Sequence, residues 1–280
     1  MSEQSVEEIR AELEAWLDEN WDESLTVGEW WERIGPSGYA HPMLPTNAYG
    51  KGYNQAQAAA VNAVLADREV MGPPTGLGKM LAAPTVATHG SQEQIDALLP
   101  PILNGTVGWC QLFSEPGAGS DLASLSTKAE RDGDEWIITG QKVWTSGGQI
   151  ADMGMLIART DPNAPKHKGI TYFAFDMHQP GVTVRPLTEM TGRALFNEVF
   201  IDEARVPHAN IIGEENMGWS VANTTLMFER ASLGSAGKSP ASAAGSGVRS
   251  VRHESVTKFS RREGGEGGVP GLGIGLWHHL

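Results

Sequence analysis

The sequence predicts an α+β multidomain protein: a helical domain, then a β-barrel or sandwich domain, then the start of a second helical domain. Changes in hydrophobic periodicity support this prediction. Residues 1 to about 105 carry apolar side chains at helical spacing, residues 106 to about 213 contain short strand-like runs, and the helical period returns near Glu215. Helices and strands grouped in separate blocks are typical of separate α and β domains, not of alternating βαβ units.

These changes set the predicted domain boundaries. We expect an N-terminal helical domain at 1–107, a middle β domain at 108–214 and the first helix of a C-terminal domain at 215–234. Residues 235–280 contain ten glycines with six Lys or Arg and three Asp or Glu, and no sustained period. Such a switch in composition predicts a divergent, low-complexity and disordered tail.

Three helices are predicted in the N-terminal domain. Ser5 and Glu8 form a candidate capping box before the first helix, whose apolar residues fall on one face. A second helix is predicted from 55 to 71, and a third opens at Ser91. Turn-rich connectors are expected between them.

Short strands are predicted throughout the middle domain. Ala129 to Thr139 is predicted to form a hairpin around Asp132-Gly133-Asp134. Further strands are predicted at 142–146, 153–159, 170–176, 182–187 and 197–202. Strands this short and this regularly spaced favour a sandwich or a barrel.

Composition excludes several classes of protein. The net charge of −13 over 280 residues argues against a duplex nucleic-acid binder, which needs clustered Lys and Arg. The single cysteine, Cys110, allows no intramolecular disulfide and no cysteine metal cluster, and it reads as a buried apolar residue. Neither a membrane span nor a signal peptide is visible, so a reducing cytoplasm is expected and no metal is predicted.

Two glycine-containing stretches are candidates for phosphate binding. The stretch 110–121, CQLFSEPGAGSD, reads as a strand followed by a turn whose backbone N–H groups and hydroxyl suit a phosphate or pyrophosphate. An ordinary strand-exit loop is the alternative, because Gly-Ser-Asp is common turn chemistry. The stretch 72–80, GPPTGLGKM, is rejected as a phosphate loop, since its glycine spacing is wrong and Met80 stands where Ser or Thr would bind magnesium.

Four motifs, in order along the chain, resemble those of the acyl-CoA dehydrogenases. They are SEPGAGSD at 114–121, GQKVWTS at 140–146 with Ala151-Asp152, FNEVFIDEARVP at 196–207, and Gly218-Trp219 with FERAS at 228–232. The resemblance covers roughly residues 5 to 235. It implies a helical domain, a β domain and a C-terminal four-helix bundle, assembled as a homo-oligomer or hetero-oligomer.

The resemblance also implies a cofactor and its contacts. The family desaturates acyl-CoA thioesters with FAD, and electrons pass to an electron-transfer flavoprotein or similar acceptor. By this resemblance Phe113 and Ser114 line the flavin ring, and Gly119 and Ser120 meet its pyrophosphate. Trp144 stacks beside the ring and Ser146 bonds near N5; from the residues alone, Trp144 reads as core packing.

A carboxylate must take the α-proton of the substrate, and Glu229 matches one of the family's two positions for this base. From the residues alone, a Glu-Arg pair on a helix is a surface or capping feature. An apolar acyl slot would raise the pKa of the base by desolvation. The same matching places Arg230, together with Ser120, near the substrate.

The tail begins where family members continue into long helices, so we interpret the chain as truncated or frameshifted. Three functions remain open. The first is α,β-dehydrogenation of an acyl-CoA with a bulky or long acyl group, in lipid or steroid side-chain catabolism. The second is an inactive remnant or a non-catalytic partner subunit, and the third is an acyl-CoA oxidase, which differs in oxygen access.

Overall fold

The computed structural model describes residues 4–188, 190, 192, 194, 196–234 and 252–257. These residues form two compact units. The first contains 4–75, 99–106 and 252–257, and the second contains 76–98 and 107–234. Within this described part, no helix has both the length and the apolar character needed to cross a membrane.

The first unit is helical, as predicted. Its helices are α1 (Val6–Asn20), α2 (Val27–Ile34) and α3 (Gln55–Asp67), and the last turn of α5 (Gln92–Leu103) also belongs to it. The capping box of Ser5 and Glu8 is confirmed. Helix α2 was not predicted, although Thr26 and Glu29 form the same kind of box at its start. Helix α3 ends four residues before the predicted end at Met71.

A short stretch of the predicted tail packs on this unit. The N–H groups of Val27 and Gly28, at the start of α2, donate to the carbonyls of Glu254 and Arg252 at 2.9 and 3.0 Å. Val256 is 1% exposed and belongs to the same hydrophobic core. The tail therefore satisfies backbone donors that a helix start leaves unpaired. The rest of the predicted tail lies outside the described residues.

The second unit is built on a seven-stranded sheet. Its strands are β1 (Trp109–Leu112), β2 (Lys128–Asp132), β3 (Glu135–Ser146), β4 (Met153–Arg159), β5 (Ile170–Asp176), β6 (Val182–Leu187) and β7 (Phe196–Pro207). They follow the order β1-β4-β2-β3-β7-β6, with β5 paired to β4. Strand β4 runs parallel to β1 and β2, and the remaining pairs are antiparallel. The mixed sheet buries one hydrophobic core.

Strand β3 is longer than predicted. The sequence suggested a hairpin strand ending at Thr139 and a separate strand from Lys142, but β3 is continuous from Glu135 to Ser146. Gly140 lies between the two predicted strands, and a Cβ there would lie 2.3 Å from the Thr127 hydroxyl oxygen. Glycine is needed at this position because another segment approaches the strand closely.

Helical segments cover one part of the sheet. A π-helical turn, Gly78–Ala82, runs directly into α4 (Ala83–His89) and was not predicted. Helix α6 (Gly218–Gly234) confirms the helix expected after Glu215 and packs on β5, α4 and the π-helical turn. The hydroxyl of Thr225 lies 2.9 Å from that of Thr85 and 3.3 Å from that of Tyr172, which fixes α6 to its neighbours.

Candidate functional site

The loop that leaves β1 forms a tight turn with an open outer face. The backbone groups of Glu115 and Ala118 bond to each other at 3.0 and 3.1 Å. Neither Gly117 nor Gly119 has a left-handed φ, and a Cβ at either position would meet no atom within 4 Å. Neither conformation nor packing therefore requires glycine there. The two glycines leave room for a ligand to approach the backbone closely.

The predicted residues of this loop differ in exposure. Phe113 is buried and its ring meets an aromatic ring of β5 edge-on. Ser114 is half-buried, and its carbonyl accepts a 2.9 Å bond from the N–H of Val143, which joins the loop to β3. Gly119 and Ser120 are exposed on the open face of the turn.

A buried ion pair joins the same loop to β3. Lys142 Nζ donates to Glu115 Oε1 at 2.8 Å and to the carbonyl of Phe113 at 3.1 Å. The Glu115 carboxylate also accepts bonds from the N–H and hydroxyl of Ser126, at 2.6 and 2.8 Å, and from the N–H of Thr127 at 2.9 Å. The side chains of the pair are only 0% and 3% exposed. The oxygens of a buried charge are thus satisfied by several donors.

Electrostatics keep this pair ionised. Burial by itself would raise the pKa of Glu115, but the Lys142 ammonium and the surrounding donors lower it below its ordinary value. Burial lowers the pKa of Lys142, and the Glu115 carboxylate opposes that shift. Sequence reasoning missed both residues, although a lysine inside a strand-like run was a signal. The pair joins the loop to Lys142, which lies two residues before Trp144 on β3.

Trp144 is held in an unusual exposed position. Its side chain is 61% exposed and its φ is 61°, a left-handed value that costs a non-glycine residue about 1 kcal/mol. The pairing of β3 with β7 shifts register between Lys142 and Thr145, which turns this residue outward. Among the described residues, its ring has one aromatic contact, an edge-on contact with Phe196 whose ring centroid is 5.9 Å away. The core-packing interpretation of Trp144 is therefore wrong.

Replacing Trp144 should cost little stability. We expect Trp144→Ala to change the free energy of unfolding by less than about 1 kcal/mol, because little of the ring is buried. Trp136, on the same strand, is 2% exposed, and Trp136→Ala should cost about 3–5 kcal/mol. Urea unfolding of the two variants checks this expectation. Equal losses would contradict the exposed placement of Trp144.

Glu229 lies on α6 within reach of β1. It is half-buried, and Gln111 Nε2 donates to its Oε2 at 3.4 Å. Sequence reasoning missed Gln111, whose signal was a carboxamide in an otherwise apolar strand, Trp109–Leu112. The neighbouring Arg230 is exposed. The structure therefore brings the predicted base next to the strand from which the glycine loop emerges.

Comparison with known proteins decides the family. The family model "Acyl-CoA dehydrogenase, N-terminal domain" matches residues 2–106, and the model "Acyl-CoA dehydrogenase, middle domain" matches residues 110–203. The acyl-CoA dehydrogenase IpdE1 of Mycolicibacterium smegmatis is 34% identical over 287 residues, covering 92% of this chain and 71% of IpdE1. The chain belongs to the acyl-CoA dehydrogenase family. The resemblance inferred from the four motifs is confirmed.

The chain covers only part of the length of two further acyl-CoA dehydrogenases. FadE34 of Mycobacterium tuberculosis is 50% identical over 200 residues, which are 71% of this chain but 28% of FadE34. The solved structure "Tcur3481-Tcur3483 steroid ACAD" superposes with a TM-score of 0.62 at 32% identity, covering 83% of this chain and 64% of that one. The name of that solved structure describes a steroid enzyme and joins two components.

Acyl-CoA dehydrogenases are flavoprotein oxidoreductases, and the residues of this chain suit a flavin. The open turn offers backbone N–H groups and the exposed Ser120 hydroxyl to phosphate oxygens. Trp144 offers an aromatic face that the described residues leave largely uncovered, and Ser146 ends the same strand with an exposed hydroxyl. No cluster of metal-binding side chains occurs among the described residues.

Described contacts link several of the predicted site residues, and three of them lie outside this group. The Ser114–Val143 bond joins the loop to the strand of Trp144 and Ser146. The Gln111–Glu229 bond joins β1, which precedes the loop, to α6. Within the described contacts, Gly119, Ser120 and Arg230 are not joined to this group. The roles of all the predicted site residues stay predictions.

Proposed function

We propose that this acyl-CoA dehydrogenase removes the α- and β-hydrogens of an acyl-CoA thioester with FAD as its cofactor. The observation that carries this proposal is the exposed, left-handed Trp144, held beside an open glycine turn by the buried Glu115–Lys142 pair. A strained and exposed tryptophan gains little from packing in the described chain. A flat ring bound against it would give this position a function.

The loop and the strand would hold the cofactor together. Gly119 and Ser120 would donate to its pyrophosphate, Phe113 and Ser114 would line its ring, and the hydroxyl of Ser146 would bond near N5. Trp144 would stack beside the ring. When bound, the flavin supplies the acceptor for the hydride that leaves the β-carbon of the substrate.

Glu229 would act as the base. Its carboxylate takes the α-proton, and the C–H electron pair forms the new double bond as the β-hydrogen leaves as hydride. Gln111 donates to one carboxylate oxygen and so orients the group before the reaction. Arg230, and Ser120 from the turn, would contact the substrate outside the reacting carbons.

The proposed substrate is a thioester with a bulky or long acyl group, such as a steroid side chain. The steroid relative, at 32% identity over 83% of this chain, supports that choice. An electron-transfer flavoprotein or a similar carrier would reoxidise the enzyme. A second subunit, either another copy or a different chain, would complete the assembly.

The proposal is tested with the full chain purified in the presence of FAD. We expect a bound flavin that absorbs at about 450 nm and bleaches when an acyl-CoA is added without oxygen. Trp144→Ala should fold but retain less flavin. A protein that stays colourless, or keeps flavin that no acyl-CoA bleaches, would assign the chain to the non-catalytic alternative. Rapid reoxidation by oxygen with release of peroxide would assign it to the oxidases.

A further inference from the structure

Among the residues that the structure describes, Lys79 has no counter-ion. It lies in the π-helical turn Gly78–Ala82 and is half-buried. Burial alone lowers its pKa, to about 8, and among the described residues no hydrogen bond or ion pair reaches its ammonium group. Lys142, which is fully buried, is different because it has the Glu115 carboxylate at 2.8 Å. Since a sheltered charge is costly unless it is paired, the partner of Lys79 is to be sought outside the described chain.

The position of the turn indicates what that partner is. The π-helical turn packs against both β1 and α6, the two elements that carry Gln111 and Glu229. Lys79 therefore lies on a third element beside the proposed base. Single π-helical turns inside α-helices are frequent at functional sites, because they redirect side chains at the cost of regular hydrogen bonding.

We infer that Lys79 is a specificity-determining residue that pairs with a carboxylate on the acyl group of the substrate. The inference rests on the proposed function. A single lysine is a compact point charge with three donors, which suits one carboxylate. Its place beside the elements of the base favours the acyl group over the phosphates of coenzyme A, which are remote from the reacting carbons.

The experiment compares thioesters of equal length that end in a methyl group or in a carboxylate: octanoyl-CoA with suberyl-CoA, and hexadecanoyl-CoA with hexadecanedioyl-CoA. Binding to the full chain is measured by thermal shift and calorimetry, and turnover by flavin bleaching. We expect Lys79→Met to weaken binding of the preferred carboxylated thioester by about 10–100-fold, since a charged hydrogen bond is lost. Binding of the methyl-ended partner should change by less than about threefold.

Lys168→Met is the matched control, because Lys168 is exposed and its loss should leave both thioesters unaffected. Without ligand, Lys79→Met should unfold at the same temperature as the wild type or a higher one, because an unpaired cation has been removed. A lower unfolding temperature would show that Lys79 pairs within the chain and would overturn the inference. Equal weakening of both thioesters and of free coenzyme A would reassign Lys79 to the phosphates and also overturn it.

Failure of the inference differs from failure of the proposed function. If the wild type bleaches with methyl-ended thioesters and Lys79→Met changes the binding of both classes equally, the proposed function stands and the inference is wrong. If the wild type binds carboxylated thioesters through Lys79 but does not bleach, the binding role of Lys79 stands and the proposed dehydrogenase activity is wrong. A wild type that binds no thioester overturns both.

Discussion

Glu229→Gln is expected to lower the rate of flavin bleaching by an acyl-CoA about 10²–10⁴-fold. Glutamine has nearly the shape of glutamate, and its carbonyl oxygen can still accept the bond from Gln111, now 3.4 Å from Glu229 Oε2. The carboxamide cannot take the α-proton, however. Binding of flavin should be unchanged, because Glu229 lies on α6, whereas the residues proposed to hold the flavin lie on the glycine turn and on β3.

Stopped-flow absorbance with the full chain measures this loss. Glu214→Gln is the control, since Glu214 is an exposed carboxylate just before the same helix and its replacement should leave the rate unchanged. Turnover retained in Glu229→Gln, with normal flavin content, would place the base elsewhere. A simultaneous loss of flavin and rate would instead assign Glu229 a structural role.

Local pattern was enough to predict most of the sheet. The strands Met153–Arg159, Ile170–Asp176 and Val182–Leu187 were predicted to the residue, because apolar or alternating runs bounded by turn residues leave little choice. The sequence predicts two strands where the structure has the single strand β3. Glycine is required at position 140, between them, because Thr127 from another segment approaches the strand closely. Such a long-range contact has no local signature.

The candidate site was predicted by motif, but the contacts that organise it were not. Nothing near Trp144 in the sequence signals an exposed ring at a left-handed φ, because this follows from a register shift against β7. Glu115 and Lys142 are 27 residues apart, and only the fold brings them to 2.8 Å. Lys79 lies in the stretch 72–80, which the sequence excludes as a phosphate loop. That it has no counter-ion among the described residues becomes visible only once its neighbours are known.

Lys142→Met is expected to destabilise the β domain by about 3–5 kcal/mol, among the largest effects of any single substitution in this chain. Methionine keeps an unbranched side chain that is one atom shorter, but it leaves Glu115 as a buried charge without its counter-ion, at a site 3% exposed. The carbonyl of Phe113 also loses its 3.1 Å donor. Flavin should be lost as well, because the turn and the strand of Trp144 would lose the ion pair that helps to hold them together.

A double-mutant cycle in urea separates the ion pair from simple loss of packing. Adding Glu115→Gln removes the stranded charge, so the double variant should recover at least about 1 kcal/mol relative to Lys142→Met alone. Lys166→Met is the matched control: its partner Asp121 belongs to the same loop at 2.8 Å, but the pair is 49% and 60% exposed. That variant should lose less than about 1 kcal/mol. Additive effects of Lys142→Met and Glu115→Gln would mean that the two charges do not depend on each other, and the link between loop and strand would then have to come from the backbone bond of Ser114 to Val143.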